Sequence, residues 1–348
     1  MFETNSLKDK VLFISVGQGG GNLGKEFENK GYTSFYINTS MEDLSTVTDN
    51  PDFRFHIPAS RGCNKDRNKA QEYMRAYYDR ILNIVSSRFG TFTKIFVVFS
   101  TGGGTGSGLG PYLAHILGES LPHCSVGAIC ILPAQNESLK TKDNALKCIE
   151  ELSSVESIKN VYILDNHNAD KFYINSRFAE RMDSLLNISR PDVRGNIDIA
   201  EVETLLNVKG NVVFADLTSE AEGLFNQFSI DSIFTLPVKG SQYLAYSLKD
   251  DKDFLQTEVE KQFGEPYDFF KGYNPNSSFV VAFGLPFPKI RMEEIQFEVE
   301  NGVDAFNKRD KVQGLSFGVN ATVMQPQQKE PAKPKAMNDI LGSFGARK

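Results

Sequence analysis

Short apolar runs alternate with longer amphipathic stretches through the first half of the chain. Val11–Val16, Ser34–Ile37, Ile95–Phe99, Val126–Leu132 and Val161–Leu164 are strand-sized, apolar and followed by turn residues, which predicts buried strands. Between them, Asn22–Lys30, Lys65–Phe89, Leu109–Ser120 and Ser138–Ser154 predict helices. Such alternation predicts an α/β fold, with a mostly parallel sheet covered by helices on both faces. Ligands of such sheets bind beyond the carboxyl ends of the strands. A further helix is expected over Asn175–Ile188, followed by the loop Ser189–Ile197 and another helical stretch to Val208. The pattern then changes to strands and longer helices: Val212–Ala215, Ser232–Leu236, Asp250–Phe263, Phe279–Phe283 and Met292–Asn307, which predict a second unit of mixed α+β type. After Val323 the run Gln-Pro-Gln-Gln-Lys-Glu-Pro-Ala-Lys-Pro-Lys has too little apolar surface to fold, so a disordered tail ending in Met337–Lys348 is expected.

Composition narrows the class. Hydrophobic residues at 40% and charged residues at 24% are those of an ordinary globular protein. No apolar run approaches the roughly 18 residues of a membrane span, and the polar Met1–Lys10 segment does not read as a secretory signal. Cys63, Cys124, Cys130 and Cys148 show no CxxC spacing, and the four histidines show no ligand spacing. They read as reduced thiols in a cytoplasm, with no structural zinc. The net charge of −6 argues against a body that wraps nucleic acid. Within Gln325–Lys348, however, Lys329, Lys333, Lys335, Arg347 and Lys348 face only Glu330 and Asp339, so the tail is basic and reads as an interaction segment.

Two glycine-rich segments sit where a strand hands over to a helix. The first is Gly17-Gln18-Gly19-Gly20-Gly21-Asn22-Leu23-Gly24. Glycines there let backbone N–H groups close on phosphate oxygens at a positive helix N-terminus. Read as the dinucleotide fingerprint GxGxxG, its third glycine falls at Asn22, so this loop alone leaves an NAD-dependent enzyme open. The second is Gly102-Gly103-Gly104-Thr105-Gly106-Ser107-Gly108, a nest of N–H donors with two hydroxyls as further donors. It lacks the P-loop lysine, so backbone dipoles and a Mg²⁺ would meet the phosphate charge. Two such loops in one sheet favour a nucleotide site over a flexible hinge.

The run GGGTGSG resembles the signature of the tubulin/FtsZ superfamily, and the resemblance covers about residues 10–320. Tyr162-Ile163-Leu164-Asp165-Asn166, Gly284-Leu285-Pro286-Phe287-Pro288-Lys289 and the basic tail with Phe344-Gly345-Ala346 are most similar to its TubZ branch, the plasmid and phage segregation tubulins. The resemblance implies a GTP-binding domain over 1–174, a central helix with a catalytic acidic loop over 175–208, a C-terminal α+β domain over 209–323 and a disordered basic tail over 324–348. It implies that Gln18–Asn22 (with Gly17 at the turn) and Gly102–Ser107 cradle the phosphates. It also implies that Asn38-Thr39-Ser40 lies near the ribose and phosphates, that Glu137 binds the ribose, and that Asn166 contacts guanine. Where FtsZ-type members carry an arginine four residues beyond that acid, this chain has Thr141, flanked by Lys140 and Lys142. Ala59–Asp66 matches the γ-phosphate-sensing loop, less rich in glycine here. Phe178 is placed to stack on the base, or alternatively to pack helix against sheet. Where FtsZ has a guanine-reading Asp, this chain has Met182 followed by Asp183.

Gly195-Asn196-Ile197-Asp198-Ile199-Ala200-Glu201 matches the family's NxDxxE element. The resemblance makes Asp198 and Glu201 catalytic carboxylates that act on the neighbouring subunit's GTP; by spacing alone they equally form a helix cap and capping box. The implied protein is a cytoplasmic, filament-forming GTPase using GTP and Mg²⁺, with no direct membrane contact. It would assemble head to tail and segregate DNA indirectly, through a DNA-binding adaptor held by the tail. An FtsZ-like division polymer is the close alternative; an NAD-dependent enzyme and a non-catalytic filament protein are more distant ones.

Overall fold

The computed structural model describes residues 7–58, 60–218 and 227–312; the expected linker and basic tail lie outside the described residues. In chain order the elements are β1 (Val11–Val16), α1 (Gly17–Asn29), β2 (Thr33–Asn38), α2 (Met41–Ser45), β3 (Arg54–His56), α3 (Arg67–Arg88), β4 (Lys94–Ser100), α4 (Thr105–Ser120), β5 (Ser125–Leu132) and α5 (Leu139–Ser153). They continue through β6 (Asn160–Asp165), α6 (Lys171–Leu186), α7 (Ile199–Leu206), β7 (Gly210–Thr218), β8 (Gln227–Ile230), β9 (Tyr243–Leu248), α8 (Gln256–Phe263), β10 (Asp268–Tyr273), β11 (Phe279–Leu285) and α9 (Lys289–Val312).

The strands β3-β2-β1-β4-β5-β6 lie side by side and run parallel, which puts every strand-to-helix loop of this half on one edge. The order reverses at β1, the kind of switch point where α/β sheets open a crevice for a ligand. Both faces of the strands are buried, consistent with two helical layers. Leu23 and Phe27 of α1 pack on one face with Phe178 and Leu185 of α6 and Val202 of α7. The other face carries Met74 and Ile81 of α3, Leu113 of α4 and Ile149 of α5.

The expected second unit joins this sheet instead of forming its own. β7 pairs with β6 through only two residue pairs, Asn160–Gly210 and Val161–Asn211, and β11, β9 and β10 extend outward from it. Ion pairs reinforce the thin junction. Arg181 and Arg177 of α6 grip Asp231 at 2.6 and 2.9 Å and also reach Asp216 of β7, while Arg291 of α9 holds Asp165 at 2.7 Å.

Several sequence boundaries move. α1 and α4 begin within the glycine runs, at Gly17 and Thr105, not after them. Close packing overrides glycine's poor helix propensity here: a Cβ on Gly20 would stand 2.2 Å from the Val98 carbonyl oxygen. The central helix starts earlier than expected, at Lys171, where the Asp170 side chain accepts from the Phe172 N–H at 2.9 Å. Ser232–Leu236 is not a strand; it makes a single bridge, Phe234 to Leu164, and the preceding Asp231 accepts from Arg177 and Arg181. Asp250–Phe263 divides into a short 3-10 turn at Asp251–Asp253 and α8.

Candidate nucleotide-binding site

Two adjoining clefts open along the carboxyl edge of the parallel strands. The first, about 370 Å³, is lined by Gly17, Gln18 and Gly19 after β1, Ser40 and Asp43 after β2, Arg61–Asn64 after β3, and Ser100 with Gly103–Gly106 after β4. The N-termini of α1 and α4 therefore meet in one cavity, where free N–H groups and both helix dipoles favour an anion. The second, about 800 Å³, lies beyond β5 and β6 and is lined by Ala134–Glu137, Asn166, His167 and Ala169–Lys171. Its walls offer side-chain amides, the carboxylates of Glu137 and Asp170 and the Lys171 ammonium in place of a backbone nest.

Local structure explains the shape of the first cleft. Gly17 turns out of β1 with φ of +71°, a left-handed conformation that suits glycine. The Asn38 Oδ1 accepts from the N–H groups of Thr39 at 2.8 Å and Ser40 at 3.2 Å, making a tight turn after β2. Thr39 then bonds Thr105 between hydroxyls at 2.6 Å, tying that turn to the second glycine loop. Gly104 is packed beneath Cys63 and Lys65, so a Cβ there would lie 2.8 Å from the Cys63 Cβ. Arg67 donates to the Ser107 carbonyl at 3.0 Å and pairs with Glu151, bracing α4 against α3 and α5. Burial pushes the Glu151 carboxyl up, and the Arg67 charge opposes that shift. On α2, Glu42 is held below the usual carboxylate range, first by its own backbone N–H and then by the Ser40 hydroxyl.

The acidic element lies elsewhere. α7 is fastened beneath the amino ends of the same strands: Lys94 donates to Asn207 at 3.3 Å, Ser125 to the Leu206 carbonyl at 3.3 Å, and Asn160 to the carbonyls of Leu205 and Val208 at 3.1 and 2.8 Å. Asp198 caps this helix. Its Oδ1 accepts from the Glu201 N–H at 2.8 Å, and the Glu201 carboxylate accepts from the Asp198 N–H at 2.8 Å, a reciprocal capping box. Strands of six or seven residues are about 20 Å long, so these acids and the glycine loops occupy opposite edges of one subunit.

Residues 10–173 match the sequence profile of the Tubulin/FtsZ family, GTPase domain. This part of the chain is a tubulin/FtsZ-family GTPase domain. The chain is also similar to the tubulin-like protein TubZ of a Clostridium botulinum C phage, 27% identical over 312 residues that cover 85% of this chain and 84% of the relative. Among solved structures it resembles Clostridium botulinum phage c-st TubZ (C-terminal tail truncated), with a TM-score of 0.75, 26% identity and coverage of 86% of this chain and 99% of that one. A GTPγS-form protofilament of Bacillus thuringiensis serovar israelensis TubZ shares the fold at a TM-score of 0.73 and 14% identity, covering 87% and 94% of the two chains.

Placed in this GTPase domain, the expected residues separate into groups. Gly17, Gln18, Gly19, Gly103, Gly104, Thr105 and Gly106 line the first cleft; Glu137 and Asn166 line the second. Gly20, Gly21, Gly102, Asn38 and Thr39 lie beneath, shaping the loops by close packing and buried hydrogen bonds, and Asn22 follows them in α1. Ser107 is no free donor: it is fully buried and its hydroxyl is spent on the Gly103 carbonyl one turn back. Phe178 needs correction as a base-stacking residue. It is 0% exposed, ringed by Tyr162, Phe27 and Phe234 at 5.4–6.1 Å, so its packing role is the one the structure carries.

Two features were hidden in the sequence. Asn175, on α6 one turn after Lys171, is 6% exposed and its Oδ1 has no partner; the Asn166 Oδ1 is also buried and unpartnered. α6 begins at Lys171, which lines the second cleft, and Asn175 stands one turn further along the same helix. Across from Thr141, Lys65 supplies the cation, donating to Thr141 Oγ1 at 2.8 Å and Ser138 Oγ at 3.3 Å. Lys142 is committed to the Gln135 carbonyl at 2.6 Å and to Glu298 of α9 at 2.5 Å, while Lys140 stays exposed.

Proposed function

We propose that this protein is a cytoplasmic filament-forming GTPase in which each active site is completed by a second copy of the chain. The observation that carries the reading is the separation of the phosphate cleft and the acidic element onto opposite edges of the sheet. Head-to-tail stacking would bring one subunit's acids over the next subunit's cleft. Relatives of this fold with protofilament in their descriptions support that assembly.

In this reading the N–H groups of Gly17–Gly19 and Gly103–Gly106 hold the phosphates, Glu137 holds the ribose, and Asn166 with Asn175 reads the guanine edge by donating and accepting. Asp198 and Glu201 of the adjoining subunit orient the attacking water and take up its proton as the γ-phosphate leaves GDP. Mg²⁺ fits as an ion held mainly by phosphate oxygens and water. Asp43 is the carboxylate lining the cleft, and among the described residues no cluster of three or more His, Cys, Asp or Glu side chains could hold a metal by itself. Once bound, it would neutralise phosphate charge.

The composition of Gln325–Lys348 supports an adaptor-binding tail and, through it, DNA segregation. Among the described residues no helix is long and apolar enough to cross a membrane. Light scattering and pelleting with GTP, ATP and NAD test the assembly. GTP-specific polymer is expected; polymer with ATP alone, or tight NAD binding without polymer, overturns the reading.

A further inference from the structure

We propose that Arg194 is a positioning residue for hydrolysis. It clamps the loop that leads into Asp198 and Glu201 onto the ends of β9 and β10, and so sets where the two acids stand over the next subunit's nucleotide. The inference rests on the shared-site reading above and names the residue that holds the acids in place.

The acids stand at the end of an irregular connection. Between Leu186, where α6 ends, and Ile199, where α7 begins, the chain has no helix or strand. The capping box fixes Asp198 and Glu201 to each other, but not the path by which the chain enters the helix. That path runs flush against the second half of the sheet. Ile197 is fully buried, and a Cβ on Gly272 of β10 would stand 3.0 Å from the Ile197 nitrogen. Gly195 takes a φ of +138°, a backbone that suits glycine, and its N–H donates to the Asp192 carbonyl at 3.2 Å. β9 and β10 run parallel, so Tyr273 at the end of β10 and Lys249 just past β9 meet the loop together.

Arg194 touches both strand ends at once. Its Nε and Nη2 donate to the two carboxylate oxygens of Asp192 at 3.0 Å each, and its backbone N–H donates to the same carboxylate at 2.9 Å. Nη1 donates to the Lys249 carbonyl at 3.0 Å. The guanidinium lies 4.1 Å from the centre of the Tyr273 ring, and Tyr273 is itself buried, with its hydroxyl donating to Asp251. The Arg194 fork holds the Asp192 carboxyl down at about 2, so the pair stays ionised at neutral pH.

Such a cluster does little for the fold as a whole. The Arg194 side chain is 42% exposed, and exposed ion pairs contribute little stability. What it removes is backbone freedom in the residues leading into Asp198. Hydrolysis is sensitive to that freedom, since misplacing a catalytic group by about 1 Å costs about 10²-fold in rate. An ammonium has no planar fork to grip Asp192 while lying flat on the ring, so lysine is a poor substitute here.

The test compares wild type, Arg194→Ala and Arg194→Lys in the full chain. Turnover per assembled subunit at saturating GTP should fall about ten- to a hundredfold in Arg194→Ala, and stay at least about fivefold down in Arg194→Lys. The critical concentration for pelleting with GTPγS should stay within about threefold, and melting within roughly 2 °C. Amide hydrogen exchange over residues 192–198 of the monomer should quicken in both variants. Normal turnover in Arg194→Ala, full recovery by Arg194→Lys, or unchanged exchange overturns the assignment. A rise in critical concentration that accounts for the lost turnover does so too, and makes Arg194 an interface residue. If Asp198→Asn/Glu201→Gln also turns over normally, the shared-site reading itself fails. Slow turnover there beside normal turnover in Arg194→Ala defeats the clamp alone.

Discussion

Asp198 and Glu201 are at once a helix cap and the proposed water-orienting pair, and the capping geometry shows how to separate the two roles. The box consists of one carboxylate oxygen of Asp198 accepting from the Glu201 N–H and one oxygen of Glu201 accepting from the Asp198 N–H. Both are acceptor functions that an amide oxygen can perform. Asn is as good an N-cap as Asp, and Gln serves at the third position of a capping box. The double variant Asp198→Asn/Glu201→Gln should therefore keep the helix, with stability within about 0.5 kcal/mol of wild type. Asp198→Ala removes the cap and should cost about 1 kcal/mol, a melting shift of roughly 2 °C in a chain of this size.

Hydrolysis sorts the variants differently. An amide can neither take a proton from water nor carry the negative charge that polarises it, so the Asn/Gln double variant and Asp198→Ala should both release phosphate more slowly by about 10²-fold or more. GTP binding by the monomer should be untouched, because neither acid lines either cleft of its own subunit. The assay is phosphate release under assembling conditions, beside thermal unfolding of the same samples. Near-normal turnover in the Asn/Gln double variant would refute the reasoning and leave these residues as a cap alone.

Other consequences follow from single contacts. Asn175→Ala should lower GTP affinity about tenfold with ATP competition unchanged, since its Oδ1 is buried and unpartnered; equal GTP affinity would remove it from the base site. Phe178→Leu should lower stability by roughly 1 kcal/mol through the aromatic cluster it shares with Tyr162 and Phe27, leaving nucleotide affinity intact; a selective loss of affinity would restore it as a base contact. His115 is held below its ordinary pKa by burial. The unfolded chain therefore takes up that proton first, so stability should be full above about pH 6.5 and fall as the pH drops below it. Melting at pH 7.5 and 5.5 should show a smaller acid loss in His115→Gln than in wild type, and an identical loss would refute it.

The parallel half was legible because each of its main strands is a continuous apolar run bounded by turns, and a strand buried on both faces can be little else. The short strands escaped. Arg54–His56 spans three residues, and Asp268–Tyr273 begins with an exposed face, so neither carries an apolar signature. The glycine loops were legible as phosphate nests, but which glycines face the cleft depends on helix starts that propensity misplaces. Gly17–Gly21 reads as loop in isolation and becomes helix only because the helix packs against Val98 and Phe99. Phe178 could be read either as a base contact or as helix-to-sheet packing, and only its full burial decides for the core, while Asn175 belonged to no motif. Arg61 was announced by the match of Ala59–Asp66 to the γ-phosphate-sensing loop, and the structure places it in the lining of the first cleft.

The central claim is that each site is shared between two subunits, and the dependence of GTPase rate on protein concentration tests it most directly. Phosphate release per subunit should be near zero at low concentration and rise steeply above the threshold at which light scattering appears. A per-subunit rate that stays constant across that threshold would contradict the account, because a single chain would then hold every group the reaction needs.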